Sequence, residues 1–202
     1  MNSLPTLEDV RNAPSSPTSP LALTLETLFE HSPILVNVLE PQLCAVLKSS
    51  PLNVSYTKLI DVALEEITNW NLRAQSEFIS GHPRIGESKN LSKFSAREQE
   101  AQGPKPTPPE VLARLGHLNA CYEKKYPGLR YITFVNGRSR AAIVEELEEV
   151  LGLLHSLSAD QPELDSVLPV DFAGGEWKKE LDRAVYDVGR IAKSRLGALG
   201  AS

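Results

Sequence analysis

The chain has 202 residues, 41% of them hydrophobic, enough to bury one sizeable core and too few for two large independent domains. Its 26 acidic and 21 basic residues are spread along the sequence and give a formal net charge of -5, which leaves no basic footprint for nucleic acid or an anionic membrane surface. No run of about 18 apolar residues occurs, and the N-terminus lacks a basic stretch followed by an apolar one, so the reading is a soluble, cytoplasmic protein with neither a spanning helix nor a secretory signal.

Cys44 and Cys121 are the only cysteines and are far apart, with no C-x-x-C pair. That excludes a disulfide scaffold or a structural zinc site and points to two reduced, buried thiols. No repeat of fixed period, P-loop or G-x-G-x-x-G pattern is found, so nucleotide binding has nothing to stand on.

Residues 1–20 carry Pro5, Pro14, Pro17 and Pro20 among serines and threonines. Such a composition buries too little surface to offset its ordering entropy and reads as a mobile tail ahead of a helical domain over residues 21–202. From 21 to 48 the apolar residues follow helical spacing, with Pro33 and Pro41 at first-turn or break positions, which predicts two or three short helices.

A further helix is predicted over about 56–70, with Leu59, Ile60, Ala63, Ile67 and Trp70 on one side. Another follows over 72–80 and stops at Gly81. The connector "GPKPTPP" ends in Pro109, which suits the first turn of a helix with the stripe Val111, Leu115, Leu118 and Tyr122. "RYITFVNG" is the one strand-like run; a lone strand makes no sheet, so it is expected to lie extended across helices.

A helix over 139–154 should bury Ile143, Leu147, Val150 and Leu154 and turn Glu145, Glu146, Glu148 and Glu149 to water. A long helix over 175–198 closes the chain, with the stripe Trp177, Leu181, Ala184, Val188 and Ile191 running into Arg195. The architecture is an all-α domain of about eight helices with one extended segment.

Few residues stand out chemically. His82 precedes Pro83, which disfavours helix and leaves the imidazole projecting from a turn. It either closes the preceding helix as a cation or carries protons near neutrality. Ser95 and Glu98 fit the capping box S-x-x-E, and the same spacing puts Ser95, Glu98 and Gln99 on one face at a helix start, suited to a small polar or anionic ligand.

Arg195 on an apolar stripe must either snorkel to water or meet an anion. Arg138 and Arg140 follow the extended segment and read either as a second anion site or as solvated or paired with nearby glutamates. His31, His117 and His155 show no carboxylate or cysteine at ligand spacing, which argues against a metal.

"GHPRIGE", "SAREQEAQG", "LNACYEKKYPGLRYITFVNGRSRAAIVEELEEVL" and "EWKKELDRAVYDVGRIAKSRL" occur in this order. Together they resemble the 2-oxo-4-hydroxy-4-carboxy-5-ureidoimidazoline decarboxylases of urate breakdown, over about residues 25–197. The resemblance implies an all-α fold and decarboxylation of a small-molecule substrate to S-allantoin without cofactor or metal. It also implies a homodimer as an option and allows a peroxisomal location, although the C-terminus is not Ser-Lys-Leu. Carried over by position, His82 and Glu98 are catalytic. Pro83, Ser95, Ala96, Arg97, Gln99 and Arg195 bind substrate, as does the backbone of Tyr131, Ile132, Thr133, Phe134 and Val135. Family members show Phe-Gly-Phe-x-Phe before this segment where the chain reads "YPGLRYITF", one residue longer, so its register is open by one position. The alternative is a helical scaffold of the same fold without the chemistry.

Overall fold

A computed structural model describes residues 4–49, 55–87, 107–155 and 158–201. Among them lie eight α-helices and no strand: α1 Leu7–Asn12, α2 Pro20–Phe29, α3 Glu40–Ser49, α4 Tyr56–Asn69, α5 Leu72–Ser80, α6 Pro109–Lys125, α7 Arg140–Leu151 and α8 Gly175–Ala198. The chain divides into two compact units, one of residues 1–82 with 182–202 and one of residues 83–181, and α8 contributes residues to both. No described helix is long and apolar enough to cross a membrane.

In the first unit, helix starts follow local chemistry. Ser19, Ser55 and Asn71 cap α2, α4 and α5, each side chain accepting an N–H from the helix's first turn. A π-helical stretch, Leu35–Leu39, runs directly into α3. Pro41 has no N–H and its ring crowds the carbonyl four residues back, so widening the turn ahead of it keeps the chain helical where a break was one expectation. Leu25, Leu28, Leu35, Leu43, Ile60 and Phe78 are fully buried in this unit. Each large apolar side chain withdrawn from water contributes roughly 1.5–3 kcal/mol.

The N-terminal stretch expected as a tail carries α1, capped by Thr6 and burying Val10. Beyond it, Ser15 and Ser19 donate to the buried Glu40 carboxylate at 2.5 and 2.6 Å. Hydroxyls that composition marks as disorder-promoting here satisfy a buried charge.

In the second unit, α6 and α7 pack together and the first turns of α8 supply Trp177, whose indole N–H donates to the Pro127 carbonyl at 3.0 Å. Helix α7 ends at Gly152, left-handed at φ 71°, so Leu154 lies past the helix and is 92% exposed rather than buried, and Val150 is only half-buried. Residues 129–135 run extended with Tyr131, Ile132 and Thr133 buried, until Asn136 and Gly137 turn the chain with φ of 47° and 75°. Both cysteines are free and buried, as expected.

Candidate active site

Helix α5 ends at Gly81, and His82 follows with its backbone N–H on the Ile79 carbonyl. The His82 ring is 7% exposed and stands edge-on to Phe78, centroids 5.0 Å apart. Nδ1 lies 3.0 Å from the Phe78 carbonyl oxygen. A carbonyl only accepts, so Nδ1 carries the proton and, in the neutral ring, Nε2 carries the lone pair. Burial pushes the imidazole down to about 4; the Phe78 carbonyl opposes that shift, the Arg195 charge adds to it, and Glu30 opposes it. His82 therefore closes α5 as a neutral N–H donor, not as the cation that a helix C-terminus would favour.

Arg195, on the last turns of α8, is 3% exposed. It neither snorkels nor stands alone. Its guanidinium lies 2.6 Å from the Glu30 carboxylate, and Nη1 donates to the Leu28 carbonyl at 3.3 Å. Glu30, just after α2, is also buried and holds φ 72°, ψ 152°, a region glycine tolerates and other residues enter at a cost of about 1–3 kcal/mol. Two residues on, Ser32 meets Gly81 so closely that a Cβ there would lie 2.8 Å from the Ser32 Cβ, pressing the turn after α2 against the end of α5. The first unit thus brings His82 and Arg195 together with Glu30, which the sequence did not single out: a polar residue after an apolar helix carries no periodic signal.

In the second unit the extended segment is tied to α7. Tyr131 and Thr133 donate their hydroxyls to Glu146 Oε1 at 2.6 and 2.7 Å. Arg138 pairs with the same carboxylate and donates to Thr133 Oγ1 (2.9 Å), the Phe134 carbonyl (2.7 Å) and the Val135 carbonyl (3.1 Å). Arg138 thus pairs with a glutamate, while Arg140 donates to Thr107 Oγ1 at 2.7 Å.

The glutamates of α7 do not all face water, contrary to the expectation from the helical pattern. Glu145 and Glu149 are exposed, but Glu146 ties the segment and Glu148 is 2% exposed, accepting from Arg114 Nε at 2.8 Å with His155 Nδ1 at 3.1 Å. Ion pairs between elements override the amphipathic pattern here. The remaining histidines also have neighbours that spacing did not show: His31 meets Glu26 at 2.7 Å, and His117 Nε2 meets Cys121 Sγ at 3.4 Å. Among the described residues no three such groups gather as metal ligands.

The family model for OHCU decarboxylase matches residues 14–160, well over half of the chain. The chain belongs to the OHCU decarboxylase family. No curated protein matches it. Family membership makes it a carboxy-lyase that decarboxylates 2-oxo-4-hydroxy-4-carboxy-5-ureidoimidazoline, a small molecule of urate breakdown, and the scaffold alternative is not favoured. The described residues are all helical, consistent with the fold of an OHCU decarboxylase.

For an OHCU decarboxylase of this sequence, His82, Pro83 and the 131–135 segment lie inside the matched region and Arg195 lies beyond it. Ser95, Ala96, Arg97, Glu98 and Gln99 fall outside the described residues. Pro83 is half-buried and opens a turn in the second unit. That turn is fixed by groups the sequence did not reveal: Arg84 Nε donates to Glu123 at 2.5 Å, and Asn119 Nδ2 donates to the Ile85 carbonyl at 2.9 Å.

Proposed function

We propose that the chain converts 2-oxo-4-hydroxy-4-carboxy-5-ureidoimidazoline to S-allantoin, with His82 acting first as a base. The observation that carries the reading is the Nδ1–H bond to Phe78, since it leaves a neutral, buried imidazole with its lone pair on Nε2. The neutral ring's single proton is on Nδ1 and engaged by the Phe78 carbonyl, so Nε2 must take up a proton before it can give one.

The chemistry asks little of a cofactor. The carbon bearing the carboxylate also bears a hydroxyl and neighbours a carbon–nitrogen double bond of the ring. When the bond to the carboxylate breaks, carbon dioxide leaves, the electron pair forms a double bond to the carbon carrying the ureido group, and the carbon–nitrogen π pair moves onto the ring nitrogen. The hydroxyl gives its proton to His82 Nε2 and becomes the carbonyl of allantoin. The imidazolium then returns a proton to one face of the carbon carrying the ureido group, and a second proton from water completes the ring nitrogen. Delivery from a fixed ring sets the S configuration.

Arg195 supplies the positive charge for the substrate's carboxylate, and its burial makes that charge worth more than in water. By resemblance, Glu98 accepts hydrogen bonds from the substrate, and Pro83, Ser95, Ala96, Arg97, Gln99 and the 131–135 backbone line it. Glu98→Gln separates charge from shape: lost turnover with an unchanged melting temperature supports the catalytic reading, and lost stability alone supports the capping box. A homodimer and a cytoplasmic location complete the proposal, to be checked by light scattering and by cell fractionation.

The test of the base role is the pH profile of kcat/KM. The acid limb should fall near pH 4, where His82 takes up its proton, and a limb near 6.5 would overturn the assignment.

A further inference from the structure

Glu30 bears two burdens at one residue. Its carboxylate is buried in an ion pair with Arg195 at 2.6 Å, and its backbone sits at φ 72°. A buried ion pair is weak evidence for stability, because hydrophobic residues of similar volume often serve the fold as well. A strained backbone persists where its surroundings enforce it, and such residues cluster at functional sites. The fold alone therefore explains neither feature well, whereas an arginine that must stay charged and fixed explains both.

The neighbourhood supports this. Arg195 Nη1 is held by the carbonyl of Leu28, two residues before Glu30, and Ser32, two residues after it, abuts Gly81 beside His82. The same short turn thus grips the guanidinium and braces the end of α5. The Glu30 charge also offsets the effect of Arg195 on His82, one disfavouring and the other favouring the imidazolium.

We propose that Glu30 is a positioning residue of the decarboxylase site, whose carboxylate holds the Arg195 guanidinium where it meets the substrate's anionic oxygens. This rests on Arg195 and His82 acting on the substrate. Glu30 touches no reacting atom and works through Arg195.

The experiment compares wild type with Glu30→Gln, Glu30→Gly and Glu30→Asp. Glutamine keeps the shape without the charge, glycine deletes the side chain and suits the φ of 72°, and aspartate keeps the charge on a shorter stem. Three quantities are read: melting temperature, KM and kcat on substrate generated in situ from urate, and the Arg195 Nε–H resonance in nitrogen-15 NMR spectra. Glu30→Gln and Glu30→Gly should fold, raise KM about 10- to 100-fold as a misplaced binding group does, and shift the Arg195 resonance. Glu30→Asp should recover part of the loss.

Wild-type KM in the glutamine and glycine variants, or an Arg195 resonance that stays in place, overturns the proposal. If glutamine fails to fold, glycine decides; if all three fail, Glu30 is a structural pair only and the proposal falls. A wild-type protein that does not turn the substrate over sinks the functional reading instead, and the Arg195 resonance then decides the Glu30 claim by itself.

Discussion

His82 donates its Nδ1–H to the carbonyl oxygen of Phe78, one helical turn earlier, at 3.0 Å. The bond does two things at once. It satisfies a carbonyl at the end of α5, and it fixes which ring nitrogen holds the proton.

The same burial makes stability depend on pH. His82 titrates at about 4 when folded against 6.5 when exposed, so between these values the unfolded chain binds more protons than the folded one. Stability is thus full above pH 6.5 and falls as the pH drops towards 4, by about 3 kcal/mol from this group. Urea unfolding at pH 7.5 and 4.5 should show the loss in wild type and a smaller loss in His82→Asn; equal losses would contradict it.

Two glutamates three positions apart on α7 should behave differently. Glu146 accepts from Tyr131 and Thr133 and pairs with Arg138, whereas Glu149 is exposed. Glu146→Gln should cost about 1–3 kcal/mol by leaving buried donors poorly paired. Glu149→Gln should stay within about 0.5 kcal/mol. Chemical denaturation of both variants checks the contrast.

Arg114 and Glu148 form a buried ion pair at 2.7 Å. Removing one partner strands the other, so Glu148→Ala should destabilise by about 3–5 kcal/mol. Arg114→Met with Glu148→Leu together should cost much less than Glu148→Ala alone, read from the same unfolding curves.

Much of the fold was legible from periodicity and punctuation. Residues 72–80 and 175–198 form helices with those bounds, and Pro109 opens α6. These features are local: Asn71 caps α5, Gly81 ends it, and the stripe from Trp177 to Val188 repeats with the helix. What escaped depends on partners distant in sequence. Glu148 is buried because Arg114, 34 positions away, reaches it, and Glu40 because Ser15 and Ser19 do. A helical wheel sees only one helix, so it sends all four glutamates of α7 to water.

Within the candidate site, His82 and Arg195 were singled out by the sequence and the groups that hold them were not. His82 before a proline and Arg195 on an apolar stripe both stand out as anomalies of type and place. Glu30, Phe78 and Arg138 do not, because their roles arise from backbone conformation and from contacts across the fold. The neutral state of His82 was also out of reach, since it follows from burial.

Decarboxylation by His82 is tested by circular dichroism of urate oxidised and ring-opened in situ, run with no addition, with the wild-type protein and with His82→Ala. The S-allantoin signal should appear rapidly with wild type and at a rate lower by about 10²- to 10⁴-fold with His82→Ala. A slow racemic product in all three samples, or an undiminished S-allantoin signal from His82→Ala, would contradict it.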